Sequence, residues 1–85
     1  DRLAVTPESV LVVDFKTNRP APAQIGEADE TYVMQMALYW SVLRRLYPGR
    51  RVEAALVWTD GPKLMGVPEE LMAAALQTLA LHVDR

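Results

Sequence analysis

Cysteine is absent from the 85 residues, and histidine occurs once, at His82. Without cysteine there is no disulfide framework and no thiolate zinc site, which fits a reducing cytoplasm. A single imidazole, with no second His or Cys near it, makes no metal site. No apolar run approaches the roughly 20 residues of a membrane-spanning helix. No signal-peptide pattern opens the chain, and no Walker A glycine-rich sequence occurs in it. Internal repeats and low-complexity tracts are also missing. Excess charge is lacking too: the formal net charge is −2. That excludes a strongly basic domain, while leaving nucleic-acid binding open, since an acidic site can still act on a nucleic acid.

Hydrophobic residues make up 51% of the chain, which argues for a core and against disorder. The length suits one small domain or part of one. A chain this short buries only about 60–65% of its unfolded surface. No Met precedes Asp1, and the chain reads as cut from something longer.

The organising stretch is Val10 to Asn18, a β-branched and aliphatic run ending in Asp14-Phe15-Lys16. It predicts a strand buried on both faces. Side chains at i and i+2 on a strand share a side, so Asp14 and Lys16 should project together, with Phe15 turned away. A bare D-x-K reads either as a salt-bridged pair at a strand end or as a hydrolytic site. In the second reading the carboxylate holds a divalent cation and the lysine orients a water or offsets developing charge.

Asp1 to Val5 predicts another strand, and Thr6-Pro7-Glu8-Ser9 a short polar link, hence an antiparallel hairpin. The hairpin could set Asp1 beside Asp14. Residues 17–30, with Pro20, Pro22 and Gly26, form a loop long enough to suspect function. Glu30 to Tyr47 predicts a helix capped by Asp29 and stopped by Pro48-Gly49. Val33, Met36, Ala37, Trp40 and Leu43 form one apolar stripe on it, and Tyr32, Gln35, Tyr39, Val42 and Leu46 a second, so both sides should be covered. Val52 to Trp58 predicts a strand parallel to the Val10 strand through a right-handed crossover. Asp60-Gly61-Pro62 is a turn, Lys63 to Val67 a short strand, and Pro68 opens a last helix to about Val83. Leu71, Met72, Ala75, Leu76, Leu79 and Val83 should be its buried side. Arg44, Arg45, Arg50 and Arg51 read as a solvated helix end or as phosphate contacts. Trp40 and Trp58 sit at core positions rather than as stacking platforms.

Three segments in order carry a resemblance: Asp1-Arg2-Leu3, Val13-Asp14-Phe15-Lys16-Thr17 and Gln35-Met36-Ala37-Leu38-Tyr39. The combination resembles the RecB-like nucleases of the PD-(D/E)xK superfamily, whose motifs are an "IDR" strand, a "VxDYKT" strand and a "QxxxY" helix. It is most similar to the C-terminal nuclease domain of AddA-type helicase–nucleases, with Phe15 where Tyr is common. The resemblance covers nearly the whole chain. It implies an α/β, restriction-endonuclease-like mixed sheet with flanking helices, truncated at its N-terminal side. Residues 1–85 would be the C-terminal part of the nuclease domain.

The implied activity is Mg2+-dependent (or Mn2+-dependent) hydrolysis of DNA phosphodiester bonds in double-strand break repair and recombination. The parent would carry an ATP-driven helicase motor and a partner subunit in an AddAB-type complex. Asp1, Asp14 and the backbone carbonyl of Phe15 would be metal ligands. Lys16 would place the water, while Gln35 and Tyr39 would steady the active strand. The alternative is a non-catalytic structural or DNA-binding module on the same scaffold. The isolated chain is expected to be inactive and to self-associate.

Overall fold

In the computed structural model, which describes residues 2–17, 21–60 and 63–83, the run of β-branched residues forms strand β2 (Ser9–Lys16). The hairpin partner is β1 (Arg2–Val5), antiparallel, with pairs running from Val5↔Val10 to Arg2↔Val13. Thr6 closes their connection: its N–H donates to the Ser9 carbonyl at 2.8 Å, and its hydroxyl oxygen accepts from the Ser9 N–H at 2.9 Å. Strand β3 (Arg51–Trp58) lies parallel to β2, from Ser9↔Arg51 to Lys16↔Trp58, and β4 (Lys63–Val67) pairs antiparallel with β3. The sheet order is therefore β1-β2-β3-β4, a mixed sheet with one parallel pair at its centre. Several expectations lie outside the described residues: Asp1, Asn18, Pro20, Gly61-Pro62 and the side chains of His82 and Val83.

The β2–β3 crossover contains α1 (Glu30–Leu46). Asp29 is its N-cap, accepting from the Thr31 N–H at 2.9 Å and the Thr31 hydroxyl at 2.8 Å. These satisfy one of the helix's orphan donors. At the other end the Tyr47 N–H reaches the Leu43 carbonyl, and Gly49, at φ +84°, takes a left-handed turn that a Cβ would strain. The buried α1 side chains are Val33, Met36, Ala37, Trp40 and Leu43, the first of the two expected stripes. They meet Val10 and Val12 of β2, Val52, Ala54, Leu56 and Trp58 of β3, and Met65 and Val67 of β4. Each of the larger side chains contributes about 1.5–3 kcal/mol by leaving water.

Three burial expectations fail, and two of them share a cause. Both helices pack on the face of the sheet that carries Val10 and Val12. Among the described residues nothing covers the opposite face, so β2 alternates instead of being buried on both sides, and Leu11 and Phe15 are exposed. Helix α1 is likewise covered on one side only: Val42 and Leu46 of its second stripe are exposed. In α2 (Glu69–Val83) only Met72 is buried, while Leu71, Ala75, Leu76 and Leu79 are half-exposed, because this helix rests against α1 at the rim of the core. No helix among the described residues is long and apolar enough to cross a membrane.

Candidate active site at the end of the central strand

Pleating sends alternate β2 side chains to the helix face, and that face reads Val10, Val12, Asp14, Lys16. The first two belong to the core; the last two stand at the strand's C-terminal end, under the first turns of α1. Asp14 is 6% exposed and is the only buried charged or polar residue among those described. Burying a carboxylate demands a compensating charge. The Lys16 ammonium supplies it, with Nζ 2.7 Å from Asp14 Oδ2. The contact is an ion pair by distance, but its angles are not those of a hydrogen bond, and Oδ2 has no hydrogen-bond partner.

Helix α1 presents Tyr32, Gln35 and Tyr39 to this pair, at spacings of three and four that place them on one side. Lys16 Nζ donates a long hydrogen bond to Gln35 Oε1, 3.4 Å. Gln35 Nε2 donates to Tyr39 Oη at 3.2 Å. The Tyr32 ring lies beneath the ammonium, 4.0 Å from Nζ to its centroid. The backbone is fixed as well: the Thr59 N–H and hydroxyl both donate to the Lys16 carbonyl, at 3.0 and 3.3 Å. The positive field of Lys16 also reaches the helix cap. Asp29 has its pKa lowered from the ordinary 3.8, first by the Thr31 N–H, then by the Thr31 hydroxyl, with the Lys16 charge adding to both.

Asp14, Lys16, Gln35 and Tyr39, all expected as site residues, thus form one connected cluster. Of the three expected metal ligands, Asp1 lies outside the described residues. Carbonyls along a strand alternate in direction. That of Lys16 points to the β3 side, where Thr59 takes it, so the Phe15 carbonyl faces the β1 side. There the described residues of β1 end at Arg2, opposite Val13. Among the described residues no three His, Cys, Asp or Glu side chains converge.

Tyr32 and Thr59 were not foreseen. Tyr32 looked like one more member of an apolar stripe, although its place three residues before Gln35 is a usable signal. Thr59 follows β3 directly and could be found only once the parallel register was known. Lys63 is a third: its Nζ donates to the Pro22 and Ala23 carbonyls at 3.0 and 2.9 Å, tying the loop before α1 to β4. That loop, expected to lack regular structure, contains among its described residues a 3₁₀ turn over Ile25–Glu27.

Of the four arginines near the helix end, three engage local neighbours. Arg44 stacks on Trp40, Arg50 on Tyr47, and Arg51 pairs with Glu53 at 3.1 Å. Trp40 and Trp58 are buried in the core, 3% and 1% exposed, so neither offers a stacking face. No protein-family model, curated protein or solved structure matches the chain.

Proposed function

We propose that the chain is part of a metal-dependent DNA nuclease of the RecB/AddA type, on a restriction-endonuclease-like scaffold. One observation carries the reading: residues of two sequence motifs, Asp14-Phe15-Lys16 and Gln35 with Tyr39, meet in one cluster at the end of a buried strand. A plain structural ion pair needs neither the amide nor the phenol.

The donor set suits a hard divalent cation. Asp14 offers a desolvated carboxylate whose Oδ2 is paired with the Lys16 ammonium and has no hydrogen bond; carboxylate oxygens of this kind are ligands for a hard divalent cation. The Phe15 carbonyl and Asp1 are the further oxygens this reading assigns to Mg2+ or Mn2+. The ion, when bound, supplies a water of lowered pKa and neutralises charge on the phosphate. The chain's own residues do the rest. Lys16 offsets charge growing on a phosphate oxygen and donates a hydrogen bond to the incoming water. Gln35 holds the ammonium, and Tyr39 holds the Gln35 amide. DNA is the substrate in this reading. A helicase motor, an AddAB-type partner subunit and a cytoplasmic setting belong to the same proposal.

A non-catalytic module on the same scaffold is the second reading, favoured by the ammonium being already engaged on three sides. The two part at Lys16. In the full-length protein, Lys16→Ala is expected to lower Mg2+-dependent digestion of linear DNA about a hundredfold or more, the range for removing one preorganised donor. ATP-driven unwinding should remain. Digestion near the wild-type rate in that variant would remove Lys16 from the chemistry and the nuclease reading with it.

A further inference from the structure

An ordinary ion pair is mutual, each charge being the other's anchor. The pair at the end of β2 is built differently. Asp14 Oδ2 lies 2.7 Å from Nζ but accepts no hydrogen bond from it. Among the described residues the ammonium has two other partners, both on α1. One is the Gln35 carbonyl oxygen at 3.4 Å; the other is the face of Tyr32, with the centroid 4.0 Å from Nζ. An aromatic face carries negative potential and attracts a cation without using the hydroxyl.

Both partners are themselves fixed. Tyr32 packs half-buried against the core in the first turn of α1, its N–H bonded to the Asp29 carbonyl at 3.0 Å. Gln35 is turned by its own bond to Tyr39 Oη, which leaves Oε1 for the lysine. At the other end of the side chain, two donors from Thr59 pin the Lys16 carbonyl.

We infer that the Tyr32 ring and the Gln35 amide form a seat that holds the Lys16 ammonium beside Asp14 without depending on the Asp14 carboxylate. Tyr32 is then a positioning residue. When the carboxylate turns to another cation, the lysine stays where it was, and the two groups can do separate work within a few ångströms. The use of this seat in hydrolysis rests on the nuclease reading; its geometry does not.

The chain has two lysines, Lys16 and Lys63, so carbon-edited NMR of the ε-CH2 protons resolves the question on the chain as it stands. A ring this close shifts those of Lys16 upfield of those of Lys63. Asp14→Asn and Tyr32→Phe are expected to keep the shift, the first because the seat is independent, the second because the ring remains. Tyr32→Leu should abolish it while the amide spectrum of α1 persists. Should Asp14→Asn fail to fold, Asp14→Leu serves the same arm, since an apolar group suits the buried position. An unshifted Lys16 in the wild-type chain overturns the inference. So does loss of the shift on removing the carboxylate from a folded chain. A seated lysine in a protein that digests no DNA would instead sink the nuclease reading and leave the seat intact.

Discussion

Asp14 depends on Lys16 in a place where a lone carboxylate would be stranded. The Lys16 and Asp14 side chains are only 15% and 8% exposed, and a buried carboxylate without its partner costs several kcal/mol. Truncating the lysine therefore does more than delete a functional group. Lys16→Met is expected to destabilise the chain by about 3 kcal/mol, because methionine fills the space and leaves the Asp14 charge stranded. Adding Asp14→Leu should recover most of that loss, as replacing both members of a buried pair with apolar residues is often neutral. Urea denaturation of the two variants and the parent checks both halves. A double variant no more stable than the single one would mean that Asp14 is not desolvated as its burial implies.

At the scale of elements, α1 is where the chain's punctuation is clearest, and its start is also where the site begins. The Asp29 cap lies three residues before Tyr32, so fraying there would loosen the ring under Lys16. Asp29 carries a lowered pKa, caused chiefly by the Thr31 N–H and hydroxyl. A carboxylate of that kind stabilises the fold above its ordinary value of 3.8 and stops doing so as pH falls through its lower folded value. Asp29→Ala should therefore lower the melting temperature at neutral pH, and the gap to wild type should close as pH drops below that ordinary value. Asp29→Asn, which can still accept at the cap, should keep the stability without that acid-side dependence. A gap unchanged at low pH would assign the effect to something other than the cap charge. The order of elements, the hairpin, the parallel partner of β2 and the stripe from Val33 to Leu43 were all legible in the sequence, because each rests on local periodicity and turn chemistry. Spacing along strand and helix paired Asp14 with Lys16 and Gln35 with Tyr39; that the two pairs would meet was what the family resemblance implied. Burial on two faces was not legible, because an apolar pattern states what a segment can bury and not whether a covering layer is there. Thr59 and Lys63 were illegible for a related reason: their partners, Lys16 and the Pro22–Ala23 backbone, are brought near only by tertiary pairing.

The molecule as a whole is a slab. Its extents are 38 × 34 × 18 Å, and 18 Å has room for one sheet and one layer of helix. The radius of gyration, 13.3 Å, exceeds the roughly 12 Å of a compact chain of this length. The uncovered sheet face carries Leu11, Phe15 and Leu64, all exposed. Four strands of up to eight residues present about 500 Å² there, short of the roughly 800 Å² per partner of a standard interface. Weak, concentration-dependent self-association is the expected behaviour, readable as a rising sedimentation coefficient, and Phe15→Lys should suppress it without loss of stability. A sedimentation coefficient flat over two decades of concentration would show that the face tolerates water. The parallel pair at the centre of the sheet has a last consequence, in time. The hairpins β1–β2 and β3–β4 are local and close within microseconds, but each is marginal alone. Residues 9–16 must find residues 51–58 across the whole of α1 before either is secured, and such distant pairing is the slow event in folding. Asp14 and Lys16 stand opposite Leu56 and Trp58 at the far end of that register. The two charges thus leave water only once the distant strands have paired, and the candidate site forms no earlier than that pairing.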